Sequence, residues 1–168
     1  MEKEIVNKVA TSKLEVFDLE DYFPKEEIMA IDIAQWLYEG FILKEKDFRN
    51  ALNNHNWTSY TGKGIALFCS AEAILPAWTF ALVTTYLHPF AKSIIQGTIA
   101  DYLVFTYKTT LDGLDYTIYK DKPLILKGCA KKPVPQEIYT LAIQKLMPYA
   151  KSIMFGEACS AVPLYKSK

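Results

Sequence analysis

The spacing of apolar residues changes along the chain, and the change predicts its elements. From residue 62 onward, short β-rich apolar runs alternate with longer stretches of helical period, over residues 65–68, 77–87, 93–96, 99–107, 124–126, 136–146 and 152–155. Short apolar runs bounded by turn residues suit buried strands, whereas longer runs with apolar positions three and four apart suit helices. The predicted order is therefore strand-helix-strand, a further helix, and strand-helix-strand again. Pro135 suits a first helical position, and Pro89 and Pro148 sit where helices should stop.

Residues 1–62 lack that regularity and predict an irregular α+β lead-in. They hold an amphipathic opening (Ile5, Val6, Val9), an extended piece over 14–18, a turn at Phe23-Pro24 and an apolar run over 28–33. A short helical piece over 36–38 stops at Gly40, which accepts the left-handed conformation that helix ends favour. A charged helix over 44–53 follows and is broken by Asn53-Asn54-His55-Asn56.

Within residues 63–168 the pattern repeats. Residues 76–97 align on 135–156 at a constant shift of 59 without a gap, and nine of the 22 positions are identical. Ordinary residue usage predicts about one or two. Cys69 and Cys129 extend the match at a shift of 60. The expected fold class is α/β, a mainly parallel sheet flanked by helices, built from two repeated βαβ units side by side in one sheet. The expected organisation is one domain over residues 1–168.

Composition narrows the function classes. The 168 residues carry 19 Lys plus Arg and 19 Asp plus Glu, so no excess field gathers nucleic acid or an anionic membrane. Half of the chain is apolar (51%), which describes a core-rich globular protein. The start Met-Glu-Lys-Glu has neither the basic stretch nor the apolar run of a secretory signal, which predicts a cytoplasmic protein. The uncharged stretch 73–91 approaches the length of a membrane span, but Pro76, Pro89, His88 and three threonines suit a buried helix or a homo-oligomer contact better.

Three cysteines with no CxxC spacing form no disulfide framework and are expected as thiols. Each falls just past a predicted strand, where open parallel sheets bind their ligands. Cys69, Cys129 and Cys159 thus form a candidate metal site for zinc or an iron-sulfur cluster, with Glu157, Glu72, His55 or water in the fourth position. Two other readings stand beside it. Buried cysteine commonly serves as a small apolar residue, which fits a non-catalytic, self-associating interaction protein. One cysteine could instead be the nucleophile of a thiol enzyme, activated by a helix N-terminus or by Lys131 and Lys132, although neither histidine is placed by motif to serve as its base. The acidic group Asp18, Glu20 and Asp21 is expected to be solvated, and no phosphate-binding motif is present.

Glu4-Ile-Val-Asn-Lys-Val, Leu43-Lys-Glu-Lys-Asp-Phe, Lys127-Gly-Cys-Ala-Lys-Lys-Pro-Val-Pro and Gly156-Glu-Ala-Cys-Ser-Ala-Val-Pro-Leu-Tyr-Lys carry a resemblance. The chain resembles the bacterial domain of unknown function 2480 family over nearly its whole length. The resemblance brings no catalytic residues with it. It does imply a partner protein in metal or iron-sulfur metabolism, which agrees with the cysteine reading.

Overall fold

The computed structural model describes residues 14–128, 131–157 and 160–167. In chain order its elements are β1 (Glu15–Asp18), β2 (Ile28–Asp32), α1 (Glu45–Asn54), β3 (Gly64–Phe68), α2 (Trp78–Leu87), β4 (Ser93–Gln96), α3 (Ile99–Asp112), β5 (Pro123–Lys127), α4 (Gln136–Leu146), β6 (Ser152–Phe155) and β7 (Val162–Lys166). Short 3-10 turns lie at Leu19–Tyr22, Ile33–Trp36, Trp57–Tyr60 and Thr117–Tyr119. Contacts group the chain into two units, Met1–Phe23 with Tyr107–Lys168, and Pro24–Thr106. No helix among the described residues is long and apolar enough to cross a membrane.

The Pro24–Thr106 unit is a parallel three-stranded sheet in the order β2-β3-β4. Alternation along the strands sends Ile31, Ile65 and Leu67 into one core. Helices α1 and α2 close it, because each buries a stripe of residues four apart: Phe48 and Leu52 in α1, Thr79, Val83 and Leu87 in α2. Each fully buried leucine of this kind contributes about 1.5–3 kcal/mol over an exposed one. The start of α3 covers the side of the sheet that carries Gly64, where the phenol of buried Tyr102 stands in the space a side chain at 64 would need. That phenol also hydrogen-bonds Ser93 and donates to Glu26 Oε1 at 2.9 Å.

The other unit is a mixed four-stranded sheet in the order β1-β5-β6-β7, parallel except for the β6-β7 pair. Its core gathers Phe17, Leu19, Leu124, Ile125, Leu126 and Ile153 with Ile138, Ala142 and Leu146 of α4. An aromatic group fills the rest, with Phe17 stacked on Tyr22 and Tyr116 and edge-on to Tyr119. Tyr107 donates its hydroxyl to the Leu19 carbonyl at 3.0 Å, so a buried phenol keeps its hydrogen bond.

Three expectations need correction. The predicted βαβ runs lie in two sheets and not in one, because the neighbours of β3 are β2 and β4 while those of β5 are β1 and β6. Nor are residues 14–62 an irregular lead-in, since β1 and β2 each supply an outer parallel strand, with Glu15 opposite Leu124 and Ile28 opposite Gly64. The sheet that contains β5 is also mixed, because β7 runs antiparallel along β6.

Candidate functional site

Parallel strands direct their carboxyl ends to one rim, and in each unit the outer strand ends in an aspartate that begins a 3-10 turn. Asp18 ends β1 and accepts from the Glu20 amide at 3.0 Å. Asp32 ends β2 and accepts from the Ala34 amide at 2.9 Å. A short acidic side chain followed by an apolar residue is what such a cap requires, since its oxygen satisfies an amide that the turn leaves open.

On the rim of the β1-β5-β6-β7 sheet, Asp18 faces Lys127, the last residue of β5, at 3.2 Å, and Glu157 lies 3.9 Å from the same ammonium. Asp18, with Glu157 reinforcing it, holds the Lys127 pKa above that of an ordinary lysine. Glu20 accepts the Lys131 amide at 2.8 Å, and Lys132 donates to the Glu20 carbonyl at 3.1 Å. Asp18 and Glu20 are therefore engaged in the fold, against the expectation of a merely solvated acidic run. Gly128 is closely covered, because an added Cβ would come within 2.9 Å of the Tyr139 hydroxyl and 3.1 Å of the Leu19 Cβ.

The rim of the β2-β3-β4 sheet is organised around Asp32. Besides the Ala34 amide, its carboxylate accepts the Ser70 amide at 3.1 Å and the Ser70 hydroxyl at 2.5 Å. Partial burial works to raise its pKa, but the Ser70 hydroxyl and the two amides outweigh it and hold the carboxyl below its usual range. Across the rim, Thr98 and Asp101 cap α3 reciprocally: the Thr98 amide and hydroxyl both reach Asp101 Oδ2 at 2.7 Å, and the Asp101 amide returns to the Thr98 hydroxyl at 3.2 Å.

The sequence candidates fall as follows. Cys69 is half-buried, packs on the core of the Pro24–Thr106 unit and directs its thiol to the Ala71 carbonyl at 3.6 Å. Cys129 and Cys159 lie outside the described residues. Glu157 is exposed in the other unit beside Lys127. Glu72 is exposed, and His55 sits among Trp36, Trp57 and Tyr60 with Nε2 2.9 Å from the Tyr60 hydroxyl. Among the described residues no three His, Cys, Asp or Glu side chains group as metal ligands. The sequence pattern does not point to the Asp32–Ser70 and Asp18–Lys127 pairs. Their only local signal is an aspartate at the end of an apolar run, and the partners lie 38 and 109 residues away.

Fold and rim together define an α/β protein of two units, one with a parallel and one with a mixed sheet, each with an outer strand that ends in a capping aspartate. The chain belongs to the family described as Protein of unknown function (DUF2480), whose profile matches residues 3–167. No curated protein and no solved structure matches it.

Proposed function

We propose that the protein is a metal-binding accessory protein whose site is built at the rim of the β1-β5-β6-β7 sheet from Cys129, Cys159 and Glu157, with zinc or an iron-sulfur cluster as the occupant. The observation that carries this reading is the pairing of β5 with β6. Leu126 stands opposite Phe155, and the Gly156 amide donates to the Leu126 carbonyl at 3.1 Å, so the two segments that lead to the cysteines leave the sheet side by side. Neighbouring strands run ~4.8 Å apart. Two thiolates on one zinc stand ~4 Å apart, a span within reach of such a start. Lys127 supplies a cation near Glu157 that offsets part of the negative charge of two thiolates and a carboxylate. Two thiolates and one carboxylate leave a coordination position for water or a partner's ligand, which suits a carrier better than a closed structural site.

The same reading extends to the architecture, which we take as two copies of one module. Backbone hydrogen bonds recur at a spacing of 59: Gly62 to Phe90 and Asp121 to Tyr149, Lys92 to Lys63 and Lys151 to Lys122, Gly97 to Leu67 and Gly156 to Leu126. Gly62 and Asp121 share positive φ angles of 74° and 58°. At that spacing Cys129 corresponds to Ser70, while Cys69 corresponds to Gly128. The module therefore supports a thiol at position 129 without requiring one at position 69.

The test is elemental analysis of the protein purified without an affinity tag, beside the Cys129→Ser, Cys159→Ser, Glu157→Gln and Cys69→Ser variants. Near-stoichiometric zinc or iron, lost in either of the first two variants and kept in Cys69→Ser, is the expected result. A metal-free wild type that takes up neither zinc nor iron would overturn the proposal.

A further inference from the structure

Small side chains under the first turn of α3 leave a cleft in the Pro24–Thr106 unit. Ala30 of β2, Phe68 of β3, and Thr98, Ile99 and Ala100 line about 300 Å³ of space. That volume lies at the lower end of small-molecule sites, which run from roughly 300 to 1,000 Å³, and matches a ligand of about one ring. It lies over the carboxyl-terminal parts of β2 and β3, next to the rim where parallel sheets bind their ligands.

The polar surroundings select the ligand. Alternation along β2 puts Asp32 on the same side as Ala30, and the register sets Asp32 beside Phe68, so this carboxylate is the next side chain of that side beyond the cleft. Among the described residues, Asp32 Oδ1 receives the Ala34 and Ser70 amides and Oδ2 the Ser70 hydroxyl alone. A carboxylate has about four acceptor directions, so one remains open on Oδ2. None of the lining residues is basic. Lys63 and Lys92, at the amino ends of β3 and β4, are paired with Glu27 and Glu26. An anion is disfavoured, because Thr98 and Asp101 already cap the start of α3 and Asp101 adds a second negative charge to the same rim.

We propose that this cleft binds a small organic amine. The apolar body lies against Phe68, Ala30, Ile99 and Ala100, and the ammonium donates to Asp32 Oδ2 while the Ser70 hydroxyl keeps the carboxylate in place. The inference does not depend on a metal at the other rim.

The test titrates the isotopically labelled full chain with three probes of one shape, benzylamine, benzyl alcohol and benzoate, followed by nuclear magnetic resonance. Benzylamine is expected to shift the Ala30, Ile99 and Ala100 resonances and to bind at least about tenfold tighter than the alcohol, as a charge-assisted hydrogen bond implies. Benzoate is expected to leave them unmoved. Ala100→Leu, which fills the cleft, should abolish binding of the amine. Asp32→Asn keeps a good cap and so should fold, yet it should equalise the amine and the alcohol. Equal binding of amine and alcohol by the wild type, a preference for benzoate, retention of amine binding by Ala100→Leu, or resonances that no probe moves would each overturn the proposal.

Discussion

The Tyr102 phenol stands over Gly64, in the volume that a β-carbon there would occupy. The constraint is steric and not conformational, because Gly64 does not have a positive φ. Gly64→Ala should therefore cost about 1–3 kcal/mol through overpacking of a filled interior. In a double-mutant cycle monitored by chemical denaturation, Tyr102→Ala should relieve most of that cost. Strict additivity of the two changes would show that the phenol is not the obstacle.

Asp32 caps the turn after β2 through the Ala34 amide and ties it to the segment after β3 by two hydrogen bonds from Ser70, so Asp32→Ala should cost about 1–3 kcal/mol through the lost cap and the stranded Ser70 donors. The sign of the pH dependence follows from its depressed pKa. The stabilisation is complete above the unfolded carboxyl pKa of about 3.9 and disappears as pH falls through the lower folded value. Acid titration of stability should accordingly show a shallower loss in Asp32→Asn than in the wild type.

His55 shows the opposite balance of chemistry. Burial among aromatic rings lowers its pKa below 6.5, because the site disfavours the charged ring. The folded state thus binds its proton less readily than the unfolded state, and stability present above about pH 6.5 should decline as pH falls through the folded value. Ring resonances should titrate with a midpoint below 6.5, and His55→Phe should remove this part of the decline. A midpoint at or above the ordinary value would contradict the burial argument.

Three phenols in the other unit set an alkaline limit. Burial, with nearby negative or tyrosyl groups adding to it, pushes Tyr22, Tyr107 and Tyr116 up to about 12. Ultraviolet difference titration should find these three among the tyrosines that stay protonated through the ordinary range near 10, and folding stability should fall as pH rises toward their folded values. Tyr107→Phe should lose about 0.5–1.5 kcal/mol with the hydrogen bond to Leu19.

The local pattern of the chain reveals its elements more readily than its pairings. The limits of α4, β4 and β6 coincide with those the apolar spacing predicts, because α4 buries a regular stripe and the two strands are short apolar runs bounded by turn residues. Strands β1 and β2 were legible as extended pieces, yet their partners were not, since Glu15 meets Leu124 across more than a hundred residues. Strand β7 is hidden in the sequence for another reason: Pro163 interrupts it, and an internal proline ordinarily argues against a strand. Rim contacts such as Asp18 with Lys127 depend on those pairings and were hidden with them. Cys69 was visible as a residue after a strand, but only the packing shows that it joins the core beside it.

Strand β7 leaves Val162 and Leu164 exposed by 58% and 49% at the end of a sheet, a combination that invites other chains to add on. Pro163 has no amide hydrogen to offer them, the register shifts between Ile153 and Met154, and Lys166 adds a charge at the tip. Irregularity here is protective, and the same features that obscure the strand in the sequence should govern how long concentrated solutions of the protein stay free of aggregates.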